Sequence, residues 1–159
     1  MKINREWLIE VVGVSSVIIS LLFVAYQIRQ SNRIAMGVTS YELNRNWMAI
    51  NDLYLTNPNV LNLSVALQST DYEPKDEIEK QVAMAYARRL LNNWMSIEEA
   101  FENGVASEYL YETARSDVES VIRKRPALVP IYEAVFENYN VSKYRLLEPI
   151  RKAIVARNL

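Results

Sequence analysis

Residues 7–32 read WLIEVVGVSSVIISLLFVAYQIRQSN, and the reading of this stretch decides the organisation of the whole chain. From Val11 to Ile28 it holds eighteen residues without a formal charge, eleven of them Val, Ile, Leu or Phe. At about 1.5 Å per helical residue such a run reaches roughly 27 Å, close to the ~30 Å hydrocarbon thickness of a bilayer. Each of those side chains favours insertion by roughly 0.3–0.6 kcal/mol near a helix centre, so together they outweigh three serines, Gly13 and Gln27. Trp7 and Tyr26 stand near the two ends, where amphipathic rings settle at headgroup level. Lys2, Arg5, Arg29 and Arg33 bracket the run and have side chains long enough to reach back to the interface.

Two other readings compete with a retained span. A cleavable secretion signal carries a shorter apolar region, about 7–15 residues, ending at a small-x-small site. Here the run is longer and leads into Tyr26-Gln27-Ile28-Arg29, a poor context for cleavage. A buried core helix would confine its apolar residues to one stripe, whereas these surround the helix. The expectation is an N-terminal tail over 1–10 and a transmembrane helix over 11–28. Within it Gly13, Ser16 and Ser20 follow helical spacing and make a small-residue face, of the kind through which membrane helices associate. Orientation is nearly balanced: Lys2 and Arg5 precede the span, while Arg29, Arg33 and Arg45 follow it. That margin leans toward a cytoplasmic C-terminal domain.

Composition narrows the rest. Half the residues are hydrophobic and 23% are charged, with only three glycines and five prolines, which suits an all-helical globular protein. A formal charge of −1 argues against a general nucleic-acid binder, which needs a basic surplus to displace counterions. The chain has no cysteine, so thiolate metal sites, disulfides and thiol nucleophiles are excluded together. It has no histidine either, and so lacks the commonest general base and metal ligand near neutral pH. No cofactor is expected, and no enzyme.

Past the span, residues 29–56 contain no proline and only Gly37, so a juxtamembrane helix is expected there, continuous with the span or nearly so. Two tracks, Val38–Tyr41–Met48 and Leu43–Trp47–Ile50–Tyr54, predict a wide packing face. Asn57-Pro58 reads as an N-cap with proline in the first helical position, opening a short helix to about Gln68. The longest soluble helix is expected from about Pro74 to Asn103, with the stripe Ile78, Val82, Tyr86, Leu90, Trp94, Ile97, Phe101 and a stop at Gly104. Ser107 caps a helix to about Lys124, another runs from Pro126 or Ala127 to Tyr139, and the last runs from Ser142 to Arg157 with a break or kink at Pro149. The fold class is therefore all-α: an N-terminal transmembrane helix, then a compact bundle of about five helices over 57–159 packing on 38–54.

Few residues suggest chemistry. Glu98, Glu99 and Glu102 cluster near a helix end, but carboxylate metal sites in bundles usually include Glu-x-x-His pairs, so a solvated acidic face is expected. Arg88 and Arg89, near Asn92 and Asn93, are the candidate anion contacts, since guanidinium forks suit phosphate or carboxylate; bridging between helices is the plainer reading. The segment SKYRLLEPIRKAIVARN carries Lys143, Arg145, Arg151 and Lys152 beside Leu147, Ile150 and Ile154. A basic amphipathic helix of that kind can lie on an anionic bilayer, against the plainer reading of a closing bundle helix.

At FVAYQIRQSNRIA the chain resembles a group of uncharacterised bacterial single-pass membrane proteins. The matching residues are Tyr26, Gln27, Ile28, Arg29, Gln30 and Asn32. A second similarity, in RRLLNNWMSIEEAFENGVAS, falls on Arg89, Asn93, Glu99 and Gly104. The resemblance implies a bacterial inner-membrane location and a helical domain of about this length; members have few basic residues before the span, and Lys2 and Arg5 depart from that. It implies no activity. The expected function is thus a membrane-anchored helical interaction module, with membrane lipid and a homo-oligomeric or membrane-protein partner. The second expectation is a tethered domain binding a small ligand or lipid headgroup.

Overall fold

The computed structural model describes residues 5–159; Lys2 and the first four positions of the expected tail lie outside the described residues. The chain is all-α, with six helices and no strand among the described residues. They are α1 (Arg5–Thr56), α2 (Pro58–Ala66), α3 (Glu77–Glu102), α4 (Glu108–Lys124), α5 (Leu128–Phe136) and α6 (Glu148–Arg157). Two compact units result, one ending at Val38 and one running Thr39–Leu159.

In the first unit, residues 5–38 are helical throughout, including positions 5–10 that were expected as tail. The run holds one stretch near the N-terminus that is long and apolar enough to cross a membrane, with a window of mean hydropathy 2.5 and no buried residue. Val12, Ile18 and Val24, which point in three different directions around the helix, are all exposed. Ser16 and Ser20 each donate their hydroxyl to the carbonyl four residues earlier, at Val12 (2.7 Å) and Ser16 (2.8 Å). Their donors are therefore used inside the helix, and what the small face offers a neighbour is close approach rather than donated hydrogen bonds.

The second unit is built around α3, which packs against α2, α4 and α5, while α6 closes on α4 and α5. Tyr86, Leu90, Trp94 and Ile97 of the expected stripe are buried, Val82 and Phe101 are half-buried, and Ile78 in the first turn is exposed. The buried surface is wider than that stripe. Ala83, Ala87 and Leu91 are buried too, because α3 is covered from several sides and the alanines let neighbours approach. Of the two tracks expected on α1, only one packs: Leu43 and Ile50 are buried, with Trp47 and Tyr54 against the core. Val38, Tyr41 and Met48 are exposed, so the expected wide face is a narrow one.

Helix ends follow local chemistry closely. Asn57 accepts from the Asn59 N–H and Pro58 fills the first turn of α2; Asp76 accepts from Glu79 at 2.7 Å and Ser107 from Leu110 at 3.2 Å. α3 ends as the glycine implies. Gly104 takes φ +70, its N–H reaches the Phe101 carbonyl, and the Val105 N–H reaches Ala100 at 2.8 Å, the paired closure of a Schellman turn. A side chain at 104 would meet no neighbour, but it would have to sit in a left-handed conformation.

Two expectations are overturned at the C-terminal end. The last helix begins at Glu148, not Ser142, and Pro149 lies in its first turn without kinking it. A proline has no N–H to lose there, so it starts the helix instead of breaking it. Glu98, expected on a solvated acidic face, is only 1% exposed. Its Oε1 accepts the Arg145 N–H at 2.6 Å and its Oε2 the Leu146 N–H at 2.8 Å. Beside it, Glu99 Oε1 accepts from the Tyr144 hydroxyl and, at 3.0 Å, from Lys143 Nζ. The end of α3 thus holds the non-helical segment ahead of α6, and seats Leu146 and Leu147 in the core. Glu98→Leu strands one buried and one part-buried N–H group, so it is expected to cost about 3 kcal/mol, or roughly 6–12 °C in the melting temperature of the detergent-solubilised protein. Glu99→Leu, at an exposed carboxylate, is expected to shift it far less.

Candidate functional site

Six positions of α3, Ala85, Arg88, Arg89, Asn92, Asn93 and Ser96, succeed one another at intervals of three or one and so share one face of the helix. Asn46 and Ile50, one turn apart on α1, stand across from them. Together they line a cavity of about 470 Å³, within the usual size range of small-molecule sites. Five polar side chains besides Asn93 contribute to its walls, and no Asp or Glu does.

Asn93 is the unusual member. It is 6% exposed, yet neither its Oδ1 nor its Nδ2 has a hydrogen-bond partner among the described residues. The Arg88 Nε is likewise buried without a partner. A buried polar group left unpaired costs about 1–3 kcal/mol, and an amide has two such groups. Neither Arg88 nor Arg89 forms an ion pair among the described residues. Two guanidinium groups and one unsatisfied amide therefore converge where no carboxylate offsets them.

A second cavity, about 1090 Å³, lies among the α2–α3 connection, α3, the end of α4, α5 and α6, with Met84, Ile122, Pro126, Ile131 and Ala153 in its walls. Its cations differ from those of the polar pocket: Lys80 is held by Glu77 at 3.4 Å and Arg157 by Glu133 at 3.1 Å. The α6 region also fails to assemble the expected basic face. Lys143 and Arg145 precede the helix, Lys143 is bound to Glu99, and Arg151 is half-buried between Glu148 and the Val141 carbonyl. Lys152 leans on Glu148 at 3.7 Å, and Leu147 and Ile150 are buried in the core instead of facing out. In the first unit, Tyr26, Gln27, Ile28, Arg29 and Gln30 are all exposed, and a Cβ at Gly13 would meet nothing within 4 Å.

Polar groups of a different kind sit inside the bundle. Trp94 donates its indole N–H to Asp117 at 2.9 Å, Arg125 donates to the Ser64 hydroxyl at 3.0 Å, and the Tyr54 and Tyr86 hydroxyls bond each other. None of these lines either cavity. Burial pushes the Tyr86 and Tyr132 phenols well above their ordinary value, so they stay neutral and serve packing. Asp117 is also raised, because burial outweighs the Trp94 hydrogen bond and the nearby Arg125.

No family model, curated protein or solved structure matches the chain.

The Asp117 shift has a definite sign. A carboxyl raised on folding favours the protonated form, so its ionisation costs stability as pH rises through that raised value. Asp117→Asn keeps an acceptor for Trp94 without the charge, and is expected to melt higher than the parent at pH 7.5. The gain should disappear as pH falls to the ordinary aspartate value of 3.8 and below, where the parent is protonated both folded and unfolded. A thermal-melting series across that range checks it; a gain that persists at pH 3 would assign the effect to something other than ionisation.

Proposed function

We propose that the protein is a single-pass membrane-anchored module whose helical domain binds a small polar ligand in the Arg88–Asn93 pocket. The carrying observation is Asn93: an amide more than nine-tenths buried, with both polar atoms unpaired, in a pocket lined by two unpaired arginines. Structural asparagines in cores are normally hydrogen-bonded, so an unsatisfied one beside a cavity favours a ligand over a packing role. The anchor is the bare apolar stretch of α1. The juxtamembrane resemblance favours a bacterial inner membrane, and the Lys/Arg balance leans to a cytoplasmic domain. The chemistry of the pocket is binding, not catalysis: it holds guanidinium, amide and hydroxyl groups and no general base.

The test is thermal melting of the full-length protein in mild detergent, followed by tryptophan fluorescence, against nucleotides, small carboxylates and phospholipid headgroups. A ligand at about a hundredfold excess over its Kd stabilises by about 2.7 kcal/mol, several degrees for a chain of this size. At least one compound is expected to do so, and the response should vanish in the Arg88→Gln/Arg89→Gln double variant. A full response in that variant would remove the pocket from the proposal.

A second reading, self-association, is favoured by a separate observation. Tyr41, Met48 and Leu55 of α1 are exposed and spaced seven residues apart, the repeat that places side chains along one seam between helices. Met48→Glu is expected to lower the mass of the detergent-extracted protein in native mass spectrometry, from a multiple of 18.4 kDa to that single value. A parent already at one chain mass would sink this reading and leave the pocket untouched.

A further inference from the structure

The pocket offers two kinds of recognition at once, and they ask for different things. The guanidinium groups of Arg88 and Arg89, with no carboxylate in the lining, ask for an oxyanion. The Asn93 amide asks for something an oxyanion cannot give. Its Nδ2 needs an acceptor and its Oδ1 needs a donor, and a carboxylate or a phosphate-ester dianion supplies acceptors only. Only a group presenting a donor next to an acceptor on one edge satisfies both ends, such as a primary amide or the edge of a nucleobase; a trans secondary amide points its two groups apart.

We propose that the ligand is a small molecule in which a carboxylate or phosphate is joined to an amide-like edge, the anion on Arg88 and Arg89 and the edge on Asn93. The proposal rests on the ligand-binding reading above and narrows it. The volume agrees: about 470 Å³ exceeds what a lone phosphate or acetate fills, and suits a ligand with both parts. Asn92, Ser96 and Asn46 supply further donors around the anion. Arg89 stands one turn before Asn93 on the same face of α3 and is exposed, which lets its long side chain meet an anion held beside the amide.

Four probes separate the parts at pH 8: acetate against succinamate, which adds a primary amide, and methyl phosphate against adenosine monophosphate, both of them dianions there. Melting of the full-length protein in mild detergent is followed as each is titrated. In at least one pair, the compound with the amide or base edge is expected to act at a concentration at least about tenfold below its bare anion, near 1.4 kcal/mol of added recognition. The pair that responds tells a carboxylate ligand from a phosphate one. Asn93→Leu is expected to erase that tenfold preference while raising the melting temperature without ligand by about 2 °C or more, since it removes two unsatisfied groups from a buried site. Arg88→Gln, which removes an anion contact and leaves the amide in place, should weaken both members of a pair alike.

Equal action of the bare anions would overturn this inference and leave the pocket an anion site. A lower melting temperature for Asn93→Leu would overturn it too, because the amide would then be serving the fold. Silence from all four probes in a parent that still responds to other compounds, with loss in the double arginine variant, would sink the ligand class alone. Silence from every compound would sink the binding reading with it.

Discussion

The bidentate hold of Glu98 on the Arg145 and Leu146 amides is the interaction that closes the bundle. α3 is flanked by α2, α4 and α5, and its C-terminal end still has to fix the segment that feeds α6. That segment has no helix of its own and would leave backbone N–H groups stranded as Leu146 and Leu147 enter the core. A carboxylate answers the need because it only accepts, and it accepts from two donors at once. Burying such a charge is costly in itself, so the gain is in specification: only one placement of 143–147 satisfies both oxygens. With that segment set, Pro149 can open α6 and Ile150 can reach full burial.

The same helix then presents a comparison within itself. Glu98 and Asn93 are both buried polar residues of α3, little more than one turn apart. One is completely satisfied by the chain and the other is not satisfied at all. The Tyr72 and Tyr132 hydroxyls are also buried without a partner among the described residues. What sets Asn93 apart is that both polar atoms of one side chain are unpaired, beside the unpaired Arg88 Nε in the same pocket. Apolar side chains of similar volume would fill its position at lower cost, and in the proposed function the adjoining arginines give that cost a use. Binding sites commonly forgo stability in this way, because groups aimed at a ligand are unpaired until it arrives.

Much of this was legible in the sequence, and the boundary of legibility has physical causes. Helix starts at Asn57-Pro58, Asp76 and Ser107, and the stop at Gly104, depend on neighbours three or four residues away, so they can be read locally. The apolar run of α1 is a composition signal and equally direct. Arg88 and Arg89 could be singled out, and Asn92 and Asn93 noted beside them, but the polar face they share with Ser96 was obscured by the stronger apolar stripe on the same helix. Asn46 was beyond reach, since only tertiary packing brings α1 across from α3. Glu98 misled for the same reason. Three glutamates at a helix end look solvated until one knows that residues 47 and 48 positions later need their amides capped. Pro149 misled by context: a proline reads as a breaker or a starter depending on where the helix begins, and that was settled at Glu98.

The two surfaces of α1 pose a different physical problem from the pocket. Apolar side chains exposed around the whole circumference, as over Val11–Ile28, have no stable place in water and are the surface a bilayer covers. Tyr41, Met48 and Leu55 form a single line instead, with Arg45 and Asp52 close by, and a line is what one partner helix covers without excluding water from the other side. A lipid environment asks for apolar surface on all sides and a helical partner asks for it on one, so the change of pattern along one continuous helix separates the part of α1 suited to membrane from the part suited to association. The pocket needs neither, because its lining from Asn46 to Ser96 belongs wholly to the second unit. The proposed ligand binding and the proposed self-association therefore rest on separate sets of residues, and either can fail without the other.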